Sequence, residues 1–392
     1  MRTLSMSAAV LAAMTLCACE EPPAPPAPTT PPKPDTSAAA KKEEPKPVKL
    51  TGEQRAQRIK DFFAAIDAGK MDTVKDFMAK DVKKSIVDHL PPMDATGPDA
   101  IQAMMKPMMA AFTEMKHETG IILVRGNEVV TVGAAHAKNT GEFGGKPATN
   151  KTLGIYFADW SKQADDGKTS EQKTYFDQNS MMGQLGLLPP EAGDHWRPAV
   201  EPGKLQPVIV VAKNDDKEKA NLAAYDKVLE PFNKHDVDAV LANYTDDAVF
   251  RHNGHKEDLV GKEAMKKGLA GFFKMTSDVK ITVDWKWAAG DYVASAGSET
   301  GTFDGESPDG KMKGTKKSWT TKWFGVNKFD GGKIKEEWLF SNGLKWAVDV
   351  GLAPDPSQMA KAEGEKKEGE TKEAKEGTKK DDTKPTTAPT KK

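Results

Sequence analysis

The sequence predicts an α+β protein made of one unit used twice, with helices leading and antiparallel strands following in each copy. Short signatures recur at a nearly constant offset: Asp72 matches Asp238 at 166 residues and Thr140 matches Thr300 at 160. Apolar residues then recur with helical spacing early in each copy and with period two later. Finally, "YFDQNSMMGQLGLLPP" from Tyr175 returns as "FSNGLKWAVDVGLAP" from Phe340, which sets Asp177 opposite Asn342. Tandem repetition of this kind is sought before any other feature, because it decides how many cores the chain must build.

The elements follow in chain order. Residues 1–18 read as a signal peptide: Arg2 precedes the apolar run "AAVLAAMTLCAC", which is too short to span a bilayer and runs straight into polar sequence. Leu16-Cys17-Ala18-Cys19 resembles the lipobox of bacterial lipoproteins. The resemblance implies a lipidated Cys19 as the mature N-terminus, attached to the membrane, in the bacterial cell envelope and facing the periplasm. Residues 19–49 carry ten of the 26 prolines and no aromatic residue, so they are expected to form a disordered tether. Residues 50–192 form the first domain. Ile59, Phe62, Phe63 and Ile66 mark one helix face, and Ile101, Met104, Met105, Met108, Met109 and Phe112 mark another. From Ile121 onward "IILVR" and "EVVTVGAAHA" read as strands.

Residues 193–206 are a Pro/Gly linker and 207–356 the second domain, where Leu222, Tyr225, Leu229 and Phe232 open the helical pattern. "KITVDWKWA", "SWTTKWFGV" and "KEEWLFSN" are its strands. Three helices ahead of consecutive strands mean helices packed on a mainly antiparallel sheet. Residues 357–392 are nearly all Lys, Glu, Gly, Thr and Ala, and are expected to be a disordered, charge-balanced tail.

At this level the chain resembles the nuclear transport factor 2-like superfamily. Within it the SnoaL-like polyketide cyclase (ester cyclase) family is nearest, through "AGKMDTVKDFMAKDV", "TGEFGG", "DGK" and the Asp-then-"QLGLLP" ending. The resemblance implies two cone-shaped domains, each a curved sheet and three helices around an apolar cavity. It also implies that the sheets pair, so that the two copies form an intramolecular pseudo-dimer. In "EQKTYFD" the strand alternation groups Glu171, Lys173, Tyr175 and Asp177; in the second copy it groups Glu336, Trp338, Phe340 and Asn342. The resemblance places this face in the cavity.

Asp177 is therefore the candidate general acid/base, with Tyr175 beside it and His136 as a weaker helper. Asn342 cannot ionise. Trp319, Trp323, Trp338, Phe340 and His252 join Tyr175, Asp177 and Asn342 as candidate ligand contacts, and the aromatic crowding of the second copy suggests a filled cone. Phe143 and Phe303 stand where the cyclases place a histidine, which weighs against chemistry. The expectation is binding of a small apolar or carbonyl-bearing molecule or a protein partner, with cyclase-like catalysis by Asp177 as the alternative.

A net charge of −1 gives no basic footprint for nucleic acid. Both cysteines lie before residue 20, which leaves no thiolate for a metal or a nucleophile. His252 and His255 have no third ligand fixed by spacing, so neither metal nor cofactor is expected.

Overall fold

The computed structural model describes residues 49–188, 195–307 and 309–356. The expected signal peptide, Cys19, all but the last residue of the tether, and the tail from 357 lie outside the described residues.

Helix α1 (Gly52–Asp67) starts with a capping box: the Thr51 hydroxyl accepts from Gln54 N, and the Gln54 side chain accepts from Thr51 N. Ile59, Phe62, Phe63 and Ile66 form its buried face. The short α2 (Met71–Val74) leads into β1 (Met78–Ile86) and β2 (Met93–Thr96), then α3 (Pro98–Ala111). Strands β3 (Phe112–Arg125), β4 (Glu128–Asn139), β5 (Thr152–Gln163) and β6 (Thr169–Phe176) follow, and α4 (Gln178–Leu185) closes the unit.

The second copy repeats this order. It consists of α5 (Asp216–Asn233), α6 (Val237–Leu241), β8 (Tyr244–His252), β9 (Leu259–Val260), α7 (Lys262–Met275), β10 (Lys280–Ala289), β11 (Tyr292–Phe303), β12 (Lys317–Asp330), β13 (Lys333–Phe340) and α8 (Gly343–Asp349). In each copy two strands fall between the second and third helices, where sequence periodicity had placed an unbroken helical block. Charged residues in "KDVKK" hid the alternation of Met78, Val82 and Ile86, which are all buried in β1.

The first sheet runs β2-β1-β6-β5-β4-β3-β7 and the second β10-β11-β12-β13-β8-β9. Most pairs are antiparallel, but β1 lies parallel to β6 and β8 parallel to β13. The edge strand β7 (Val208–Val211) pairs parallel to β3, Ile121 opposite Val208. The repeat pattern had assigned these residues to the second domain; their apolar side chains instead extend the first sheet. Gly126 and Gly290 take positive φ in the β3–β4 and β10–β11 hairpins, where a right-twisted two-residue turn needs it.

Each sheet has two apolar faces. The inner face of the first sheet packs Ile122, Val124, Ile155, Phe157 and Phe176 against α1 and α3. In the second, Tyr244, Ala248, Val293 and Phe329 pack against Tyr225 and Val228 of α5 and Met265 of α7. The outer faces pack on each other. Ile121, Val130, Val132, Trp160 and Tyr175 meet Trp287, Ala294, Phe324, Val326, Trp338 and Phe340 in one cluster. Fully buried Phe324 stands 5.1 Å from the Tyr175 ring, and burying a ring of this kind contributes about 1.5–3 kcal/mol. Two cones thus stand back to back on a shared core.

Candidate functional site

Strand alternation decides which side chains reach a cone, and a one-residue slip in reading it exchanges the two faces. Tyr175, Trp338 and Phe340, expected in the cavities, lie in the core between the sheets. The residues on the other face do the lining: Gln172, Thr174 and Phe176 in cone one, Glu337, Leu339 and Ser341 in cone two.

Asp177 is not on a strand at all. It is the N-cap of α4, 2 % exposed, and its carboxylate accepts from Asn179 N, Ser180 N and Ser180 Oγ at 3.2, 2.9 and 2.5 Å. A fourth donor, Gly343 N, comes from the second copy at 2.8 Å. Burial raises the Asp177 pKa, opposed by these hydrogen bonds. With four donors around it, and on the wall of neither cone's cavity, the carboxylate is a cap.

Asn342 mirrors it as the N-cap of α8, accepting from Leu344 N at 3.1 Å and from Gln178 N of the first copy at 3.3 Å. Each residue caps its own helix and reaches the first residue of the other. The Asn342 amide also donates to Asp88 O at 2.8 Å, which a carboxylate could not do. An acid facing its own isostere keeps this buried junction to one charge.

The remaining sequence candidates divide between several places. His136 is buried in β4, 3.9 Å from Glu118, with burial lowering its pKa. Trp319 packs with Phe273, Phe303 and Val350 beyond the cavity. Trp323 and His252 line cone two. Cys19 lies outside the described residues.

Cone two is hollow rather than filled. Its cavity holds about 240 Å³ and is walled by Val228, Leu229, Leu241, Leu269, Phe272 and Trp323 among others. This is just under the size of pockets that enclose drug-sized ligands. The cavity wall also carries buried Tyr225, Tyr244 and Asn327. Tyr244 donates to Glu337 Oε2 at 2.6 Å. Ser295 donates to the Tyr225 hydroxyl at 3.0 Å, so the tyrosine's own hydrogen is left for the cavity. Burial pushes the Glu337 carboxyl up to about 7, against the hydrogen bond from Tyr244.

Glu299, also on the wall, is pushed up to about 8 by burial and has no hydrogen-bond partner among the described residues. Glu299 faces Thr321 on β12 and Glu337 faces Asn327, six positions on. At about 3.4 Å per residue the two acids stand some ~20 Å apart along the sheet, at opposite ends of the cavity. His252 and His255 stack at 4.2 Å on the rim, with the His252 pKa lowered by burial. Arg197, from the linker, donates to the His252 carbonyl at 2.9 and 3.1 Å and to Asp258 at 2.7 Å. Among the described residues no group of His, Cys, Asp and Glu is arranged to hold a metal ion.

Glu299, Glu337, Tyr225 and Tyr244 escaped sequence reasoning. The signal was the adjacent pair in "KIKEEWLF", of which one must face inward. Glu336 instead pairs outside with Arg251 and Lys328.

The SnoaL-like polyketide cyclase family matches residues 55–185, and the SnoaL-like domain family matches residues 225–337. Curated proteins yield no match to the chain. Among solved structures, AclR, a candidate hydroxylase from Streptomyces galilaeus, is 21% identical and aligns 40% of this chain with 98% of its own, at a TM-score of 0.34. A candidate SnoaL-like polyketide cyclase from Jannaschia sp. CCS1 is 15% identical over 36% and 99% of the two chains, TM-score 0.34. TsrD from Streptomyces laurentii is 14% identical over 36% and 100%, TM-score 0.32.

Proposed function

The chain carries two SnoaL-like domains in tandem, and on that premise we propose that the second is a receptor for a small, largely apolar molecule bearing a carbonyl or similar hydrogen-bond acceptor. The observation that carries this reading is the cavity of about 240 Å³, whose mostly apolar wall carries the Tyr225 hydroxyl and the Tyr244–Glu337 pair. A carboxylic acid near 7 is half protonated at neutral pH and can donate, as can the Tyr225 hydroxyl. No arginine or lysine lines this cavity, which disfavours anionic ligands. The first domain supplies the other half of the shared core, an internal counterpart of a dimer.

Thermal denaturation with a bicyclic ketone such as 2-decalone tests the reading. A ligand at a hundred times its Kd stabilises by about 2.7 kcal/mol. The expected rise in Tm should vanish in Leu229→Trp, which fills the cavity, and shrink in Tyr225→Phe. An equal rise in Leu229→Trp overturns it.

A second reading, acid–base catalysis, is favoured by the Tyr244–Glu337 pair. A proton-transfer group near pH 7 contributes roughly 10²–10⁴-fold in rate. In this reading Glu337 exchanges hydrogen α to a bound ketone, and Glu337→Gln abolishes deuterium incorporation while binding persists. Asp177, held by four donors, does not fit that role.

The lipobox-like Leu16–Cys19 and the Pro-rich segment after it support a further part of the proposal: an envelope protein tethered through lipid on Cys19. Labelling with an alkyne palmitate should mark the wild type and leave Cys19→Ala unmarked and released from membranes.

A further inference from the structure

Cone one encloses a smaller cavity of about 150 Å³. An apolar cavity of roughly that volume takes a benzene-sized guest. Its wall is thioether and aromatic, with Met104, Met105 and Met108 from α3, Phe63 from α1 and Phe157 from β5. Lys84 of β1 projects into this wall, 9 % exposed. Its Nζ donates to Gln172 Oε1 at 2.9 Å and to Thr174 Oγ1 at 3.2 Å, both on β6. Gln172 in turn donates to Asp159 Oδ2 on β5 at 2.9 Å. Among the described residues the other oxygen of Asp159, a residue 6 % exposed on the same cavity, has no hydrogen-bond partner.

An ammonium group has three N–H donors and only two are matched here. A neutral amine has two, both matched, and keeps its lone pair. Burial lowers the Lys84 pKa and outweighs the attraction of the Asp159 carboxylate. The other titratable groups on this cavity are His117 of β3, hydrogen-bonded to Asp67 of α1 at 2.5 Å, and His136 of β4.

We propose that this cavity is a second ligand site, in which the Lys84 amine captures a small apolar aldehyde as an imine. The Nζ lone pair forms a bond to the carbonyl carbon, and the carbonyl oxygen takes one of the amine's hydrogens. The carbinolamine then loses its hydroxyl together with the remaining N–H as water, leaving C=N. One aldehyde and one amine give one imine and one water, without oxidant or cofactor. When the imine is protonated, the unmatched Asp159 oxygen offsets its charge. The Met-rich wall adapts to the alkyl chain, because thioether side chains rearrange at little cost. This site is independent of the cone-two reading.

The test is reductive trapping. The full chain is incubated with pentanal and sodium cyanoborohydride at neutral pH, and labelled lysines are located by peptide mapping. Lys83, exposed on the opposite face of the same strand, is the internal control. Labelling at Lys84 should exceed that at Lys83 severalfold, and an excess of toluene should suppress it. Lys84→Met should keep its fold and lose the preference within that peptide. Labelling of Lys84 no faster than of Lys83, or indifferent to toluene, overturns the proposal whatever the variant does.

Discussion

Cone one and cone two share an order of elements but treat their buried polar groups differently. Cone one links Lys84, Gln172 and Asp159 into a chain within its wall and leaves about 150 Å³ among methionines. Cone two encloses about 240 Å³, with Glu299 unpartnered among the described residues and Glu337 held by Tyr244. The conspicuous sequence difference, Asp177 against Asn342, concerns neither cavity. It sits at the junction, where two facing carboxylates would each lose solvation and repel. The divergence of the copies is therefore of two kinds: one keeps the halves joined, and the other makes two unlike interiors.

The shared core gives the sharpest way to break this comparison. Phe324→Ala empties a fully buried site between the sheets and should cost about 3–5 kcal/mol. Hydrogen exchange should show α1 and α5 losing protection together; loss confined to α5 would mean the cones are stable independently.

Asp177→Ala leaves four donors unmatched and should cost about 3 kcal/mol by urea denaturation, whereas Asp177→Asn, which still accepts, should cost about half that. Equal losses would make charge, rather than capping, the role of Asp177.

Glu299 sharpens the contrast through pH. A carboxyl with a folded pKa of about 8, above its unfolded value, binds more protons when folded, so stability is greatest below the unfolded pKa and falls as pH rises to 8. Between pH 5.5 and 8.5 the wild type should lose on the order of 2 kcal/mol, discounted because Glu299 is only half-buried. Glu299→Gln should flatten most of that slope, with the smaller contribution of Glu337 remaining. An unchanged slope would mean that water solvates Glu299.

The smallest effect is expected at the rim. Arg197→Ala removes the strap on the His252 carbonyl but leaves Asp258 paired with Arg251, so about 1 kcal/mol is expected, together with a weaker Tm response to 2-decalone.

The helix faces, the repeat and the two-domain α+β plan were legible because burial imposes periodicity on them. Ile59, Phe62, Phe63 and Ile66 could be read directly. The assignment of faces was not legible. Both sides of each sheet are apolar, one to the cone and one to the other copy, so alternation shows two faces without saying which is inside. Tyr175, Trp338 and Phe340 were consequently placed in cavities they back onto. Strand alternation also stops at Phe176, where the chain turns into α4 and Asp177 becomes a cap. Glu299 was masked by the polar residues around it, and the pair Glu336–Glu337 showed that one acid faces inward without saying which.

Strand β7 bears on how the molecule is made. The first sheet takes its last strand from residues 208–211, downstream of everything else in that unit. A nascent chain emerging from the ribosome N-terminus first cannot finish its leading half until the connecting segment is out of the exit tunnel. A truncation at residue 206, however natural it looks on the repeat, would strand an open β edge at Ile121–Val124 and invite aggregation.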